Sequence, residues 1–155
     1  MENYTEKVQD AKTAIKVDYI GILAGFIFAF VCFFTEPGIF LFGFIIMAIF
    51  TIKMNADKHK LFKIQEPAFM QVRKVRKGMT YNDVKTIMGP YPPTTESNDI
   101  VIYKLSGLES YSFWSSTTNE ICRTATIIFY EEKVVDVSID GTRITTTTRH
   151  YHTYG

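Results

Sequence analysis

Between Tyr19 and Ile52 the chain reads YIGILAGFIFAFVCFFTEPGIFLFGFIIMAIFTI, a run whose only ionisable side chains are Tyr19, Cys32 and Glu36. Glu36 stands beside Pro37 and Gly38 in the middle of that run. Proline lacks the N–H a helix needs and glycine tolerates a reversal, so a charge and a Pro-Gly pair between two apolar stretches predict a turn. The segment is therefore expected as two apolar helices, residues 18–34 and 39–54, folded back on each other. An arm of about sixteen residues spans roughly 24 Å, against a hydrocarbon core of about 30 Å. Such a hairpin either crosses a thinned bilayer with snorkelling lysines or dips in from one face. A buried hairpin in a soluble protein is disfavoured, because nine of the thirteen phenylalanines fall in this run and the remaining chain is too small to cover them.

Gly21, Gly25 and Ala29 recur at four-residue spacing along the first arm, and GILAG matches the G-x-x-x-G pattern that lets a second backbone approach. The turn already supplies a neighbour, so this face is expected to pack on the second arm around Gly43. A homodimer through the hairpin is the alternative. Lys7, Lys12 and Lys16 precede the hairpin, Lys53, Lys58, Lys60 and Lys63 follow it, and the turn has no basic residue. The positive-inside rule then puts both ends in the cytoplasm, with the hairpin in the inner membrane. Lys53, Lys58, Lys60 and Lys63 are the candidate contacts to anionic lipid. A nucleic-acid role for this basic stretch is not expected, since juxtamembrane lysines already account for it.

The chain has 155 residues and a net charge of +1, but the charge is unevenly spread. Eight Lys/Arg lie between residues 53 and 77 against Asp57 and Glu66, while from residue 78 onward nine acidic residues outnumber six basic ones. Overall charge therefore says nothing about partners. Cys32 and Cys122 lie in different regions, and no C-x-x-C spacing exists, so neither a disulfide framework nor a zinc site is expected. No small-x-small site follows the first apolar arm, which argues against a cleaved signal peptide.

Beyond the hairpin the pattern changes. Residues 55–66 are polar and lysine-rich, and are expected as a basic linker after an N-terminal polar segment, 1–17, and the hairpin, 18–54. Pro67 suits the first position of a helix that Gly78 ends. Thr80 followed by Asp83, then Val84, Ile87 and Met88, with Gly89-Pro90 as the stop, predicts a capped second helix. Alternating or β-branched runs at 100–105, 109–115, 124–130 and 133–139 predict an antiparallel meander, with a turn at Glu131-Glu132. The expected class is α+β: two short helices packed on a small antiparallel β-meander over residues 67–140, preceded by an N-terminal transmembrane helical hairpin. Residues 141–155 form a Thr-rich tail.

Catalytic signals are sparse. His150 and His152 would share one side of a strand and could hold a metal only with a third ligand from elsewhere, so solvated tail residues are the simpler reading. The serines around Trp114 lack a G-x-S-x-G setting, Glu131 and Glu132 diverge at a turn, and no Gly-rich phosphate loop occurs. No cofactor, metal site or enzymatic activity is expected. Tyr103, Tyr111, Trp114 and Tyr130 are the candidate partner surface, since alternation sends some strand aromatics to the open face of a sheet, where a peptide or subunit could dock.

The stretch VRKGMTYNDVKTIMGPYP, followed by IVIYKL and ATIIFYEEKVVDVSIDG, resembles the BamE (SmpA/OmlA) small-protein family, whose fold is shared with β-lactamase inhibitory protein. The resemblance rests on Gly78-Met79-Thr80, Val84, Met88-Gly89, Ile102-Tyr103 and the hairpin around Phe129 and residues 134–139. It covers roughly residues 66–140. It implies a non-enzymatic binding domain, a scaffold or accessory subunit of a bacterial envelope. The expectation is thus a bacterial or phage membrane protein whose partners are the lipid bilayer and another protein. A membrane-tethered sensor of a small molecule or lipid is the alternative.

Overall fold

A computed structural model describes residues 3–35, 38–97, 99–112 and 117–147. Glu36, Pro37, Trp114, His150 and His152 lie outside the described residues. Helix α1 (Tyr4–Thr35) and helix α2 (Phe40–Val72) run back along each other as a hairpin, each roughly 50 Å long at about 1.5 Å per residue. Their packing uses small side chains that meet across the hairpin. A Cβ on Gly43 would lie 2.5 Å from the Ala29 Cβ, and one on Gly25 would lie 2.9 Å from the Met47 Cγ. The backbones touch there because neither glycine has a side chain to hold them apart.

The helices outrun their apolar arms at both ends. Residues 1–17 were expected as a polar segment, yet the chain is helical from Tyr4, with Tyr4, Val8, Ala11 and Ile15 partly or fully buried at helical spacing. Residues 55–66 form no linker but the middle of α2. Leu61, Phe62, Gln65, Ala68, Phe69 and Val72 are all buried along one face. That periodicity persists beneath the lysines, and it keeps the helix going because the sheet supplies something to bury it against. Pro67 sits inside α2 rather than opening a helix.

Helix α3 (Tyr81–Met88) starts as its sequence predicts. The Thr80 side chain accepts from the Asp83 N–H while the Asp83 carboxylate accepts from the Thr80 N–H. Among the described residues four antiparallel strands follow in sequential order: β1 (Thr95–Glu96), β2 (Ile100–Ser112), β3 (Thr117–Tyr130) and β4 (Lys133–Thr147). The fold is α+β, with three helices among the described residues rather than a hairpin plus two short ones. The segments expected as separate strands at 100–105 and 109–115 belong to one strand as far as Ser112, whose pairing with β3 shifts register between Leu108 and Ser110. Strand β4 runs on into the Thr-rich tail as far as Thr147.

The core lies between the distal half of α2, α3 and one sheet face. Phe62, Phe69, Val72, Val84 and Met88 meet Val101, Tyr103, Leu105, Ile127 and Phe129. Tyr4 joins its margin, edge-on to Tyr91 with centroids 5.2 Å apart, so α1 is also tied to the domain. Helix α2 further occupies the outer edge of β2. The Gln65 Oε1 accepts from the Ser106 N–H at 2.8 Å, and the His59 Nδ1 lies 2.8 Å from the Leu108 carbonyl. Farther along that edge Thr94 donates to the Ile102 carbonyl. Edge groups that would otherwise template another strand are thereby satisfied within the chain.

Candidate membrane anchor and interaction surface

The hairpin's apolar half is unlike the rest of the molecule. Of twenty-four exposed large hydrophobic side chains among the described residues, eighteen lie between Val17 and Ile52, among them Phe26, Phe30, Phe33, Phe34, Phe42 and Phe44. Both helices are long and apolar enough to cross a membrane. Leaving so many large side chains in water forfeits the burial each could gain, about 1.5–3 kcal/mol per side chain, which points to membrane association. Gly21, Gly25, Ala29 and Gly43 all face the opposite arm; a Cβ on Gly21 would strike the Phe50 ring. The small-residue face expected either here or at a dimer interface is thus used inside the hairpin.

Charged groups ring the foot of this belt. Asp18 is wholly buried, and its Oδ1 accepts from the Lys53 Nζ at 2.7 Å, while Lys53 also reaches Asp57 at 3.2 Å. The Asp18 Oδ2 has no partner among the described residues. Lys58 pairs with Glu120 at 3.3 Å and Lys63 with Glu66 at 3.2 Å, whereas Lys60 is exposed. Three of the four lysines expected at lipid are therefore engaged by protein carboxylates. Asp18 was passed over as the first residue of an arm. Its signal lay in a carboxylate and an ammonium standing at the outer ends of the two apolar arms.

Of the aromatic residues expected on one open face, Tyr103 is not there. Tyr103 points the other way and is 6% exposed, packed in the core. Odd-numbered residues of β2 before Gly107 face the helices, so Tyr103 shares its side with Val101 and Leu105. Burial pushes its phenol up to about 12, and the nearby Glu96 carboxylate adds to the shift. Tyr130 is exposed, at the end of β3 beside the Glu131-Glu132 turn. The side chains of Tyr111 and Trp114 lie outside the described residues. The open face is mainly polar, carrying Lys104, Thr124, Thr126, Ser138 and Asp140 with Ile102 and Ile128.

Two grooves open at the far end of the domain from the belt. One, about 640 Å³, is lined by Tyr81, Glu96, Asp99, Glu131 and Glu132, with the Tyr81 hydroxyl donating to Glu96 and its phenol raised by that bond. The other, about 490 Å³, runs between α3 and β1, past Val84, Met88, Tyr91, Val101 and Tyr103. No group of His, Cys, Asp and Glu suited to a metal occurs among the described residues. No protein-family model, curated protein or solved structure matches the chain.

Proposed function

We propose that this chain is a membrane-anchored, non-enzymatic interaction module of a bacterial or phage envelope. The observation that carries the reading is the continuity of α2, which leaves the exposed apolar belt and enters the domain core with no intervening linker. A domain tied so directly to its anchor is held at a fixed height above the bilayer, which suits a scaffold rather than a tethered enzyme. Its orientation follows from the lysines that flank the hairpin and are missing from the turn: inner membrane, with both termini and the domain in the cytoplasm. The BamE-like pattern at residues 66–140 supports a binding role. A typical BamE protein is instead an acylated lipoprotein acting outside the cytoplasm, so the likeness is carried over for the domain and not for its address.

The partner surface is the open face of the sheet together with the outer edge of β4. On that edge Val134 exchanges hydrogen bonds with Gly78 and Met79, and beyond it no backbone bond from another element reaches the strand among the described residues. An extended segment of another protein can add there by main-chain pairing. The groove lined by Met88, Tyr91 and Tyr103 favours the second reading, a sensor that holds a small molecule between helix and sheet.

The test is topology. A single cysteine replacing the exposed Ser97 in a Cys-free background is probed in intact cells with a membrane-impermeant thiol reagent. Protection until the membrane is permeabilised is expected; labelling from outside would overturn the cytoplasmic assignment and make envelope assembly the leading reading.

A further inference from the structure

Where α1, α2 and the β2–β3 ladder converge, a groove of about 350 Å³ is lined by Lys12, Lys16 and Lys58, with Thr13, Leu61 and Glu120. Lys12 and Lys16 stand one helical turn apart, a like-charge spacing that costs stability unless something neutralises it. Neither forms an ion pair among the described residues, whereas Lys58 is held by Glu120. Three ammonium groups thus face one carboxylate, and the groove has positive charge to spare.

Its height is the second observation. Lys16 immediately precedes Val17, the first exposed apolar side chain of the belt. Lys12 lies about 6 Å farther along α1. Lys58 stands six residues past Ile52, the last of the belt, or about 9 Å. The headgroup layer on each side of a bilayer is roughly 5–8 Å deep. With the belt in the hydrocarbon, Lys12 and Lys16 therefore lie within the depth of the lipid phosphates and Lys58 at its outer margin, beside Ile15 and Leu61.

Resting on the membrane-anchor reading, we propose that this groove binds the phosphate of an anionic phospholipid headgroup, with Lys12 and Lys16 as its principal contacts. Lys53 and Lys63, which sequence alone makes equal candidates, are already occupied by Asp18, Asp57 and Glu66. The lipid is recognised in a built groove of α1, not along the basic face of α2. Bound there, it bridges the hairpin to the sheet through Lys58 and would stiffen the domain against its anchor.

The full chain in a neutral detergent is titrated with phosphatidylglycerol, phosphatidylcholine or inorganic phosphate, and retained lipid is counted by native mass spectrometry alongside the thermal midpoint. One phosphatidylglycerol retained per chain, with a raised midpoint, is expected from the wild type and from K74Q, an exposed lysine in the turn after α2. K12Q/K16Q is expected to bind about 25-fold more weakly, near fivefold per charge lost at the surface, with its lipid-free midpoint at or above the wild type's. Equal binding by K12Q/K16Q and wild type overturns the groove assignment. The same shift from inorganic phosphate overturns the lipid as its occupant, and indifference between phosphatidylglycerol and phosphatidylcholine overturns the charge-based recognition. Recovery of the wild type in carbonate-washed membranes tests the anchor by itself, so its failure is distinguishable from that of the groove.

Discussion

Asp18 and Lys53 meet at the foot of the apolar belt, the Lys53 Nζ donating to the Asp18 Oδ1 at 2.7 Å across 35 positions of sequence. The carboxylate is wholly buried and the ammonium half exposed, so the two partners are not equivalent. Removing the ammonium strands a negative charge between two helices, whereas neutralising the carboxylate leaves an exposed lysine free to hydrate. Lys53→Met is expected to lower the thermal midpoint in detergent more than Asp18→Asn does. Replacing both residues by leucine should recover most of the loss, because packed apolar groups can substitute for a buried pair. A reversed order of the single variants would show that the bridge is not what closes the hairpin there.

The junction of α2 with the sheet depends on Gly107. Its φ of +130° suits glycine, and a Cβ there would collide with the Lys58 carbonyl oxygen and lie 3.2 Å from Phe62. Both the backbone conformation and the contact resist a larger residue. Gly107→Ala is expected to cost about 2 kcal/mol, roughly 4–8 °C in thermal midpoint for a chain of this size. Gly38→Ala, where an added Cβ meets nothing within 4 Å, is the matched control and should be near neutral.

The same junction marks where sequence reading stopped short. The two apolar arms and the closing β3–β4 hairpin were legible, because an uninterrupted apolar run and strict alternation each admit few structures. The stretch 55–66 reads as a linker only if its lysines are weighed above Leu61, Phe62 and Gln65, whose spacing continues through Ala68, Phe69 and Val72 to form one helical face. Pro67 reinforced the error, since a proline is more familiar at a helix start than inside one. Tyr103 was misplaced for a related reason: alternation puts Tyr103 and Tyr130 on opposite faces, and only the packed structure tells which face α2 covers. Lys12 and Lys16 stood out no more than the other lysines, because which lysines have carboxylate partners is a fact of tertiary geometry.

The β3–β4 hairpin turns through Glu131 (φ 49°) and Glu132 (φ 62°), two non-glycine residues in the left-handed region. A two-residue turn of this shape matches the twist of its strands but prefers Asn-Gly, and each strained residue costs roughly 1–2 kcal/mol. Adjacent like charges add to the burden. The double replacement Glu131→Asn/Glu132→Gly is expected to stabilise the protein by about 1–2 kcal/mol, read as a higher thermal midpoint. If it also weakens capture of a partner, the two carboxylates and their acidic groove belong to the binding surface; unchanged capture confines them to the turn.

Acid sensitivity follows from the start of α3. The Thr80 N–H donates to the Asp83 Oδ2 at 2.9 Å and the Thr80 hydroxyl to the same oxygen at 2.8 Å. These bonds, the backbone one first, hold the Asp83 carboxyl below its ordinary 3.8. A carboxyl whose folded value lies below its unfolded one contributes stability above the unfolded value, and that contribution disappears as the pH falls through the folded value. Asp136, depressed by its hydrogen bond from Lys77, acts in the same direction. The wild type is therefore expected to lose thermal midpoint as the pH is taken below about 4, in the range where carboxylates take up protons. Asp83→Asn should be less stable than the wild type at neutral pH, and the gap between them should narrow in acid as the native cap is protonated. A gap of constant size from neutral to acid pH would mean that Asp83 serves the helix through packing rather than through its charge.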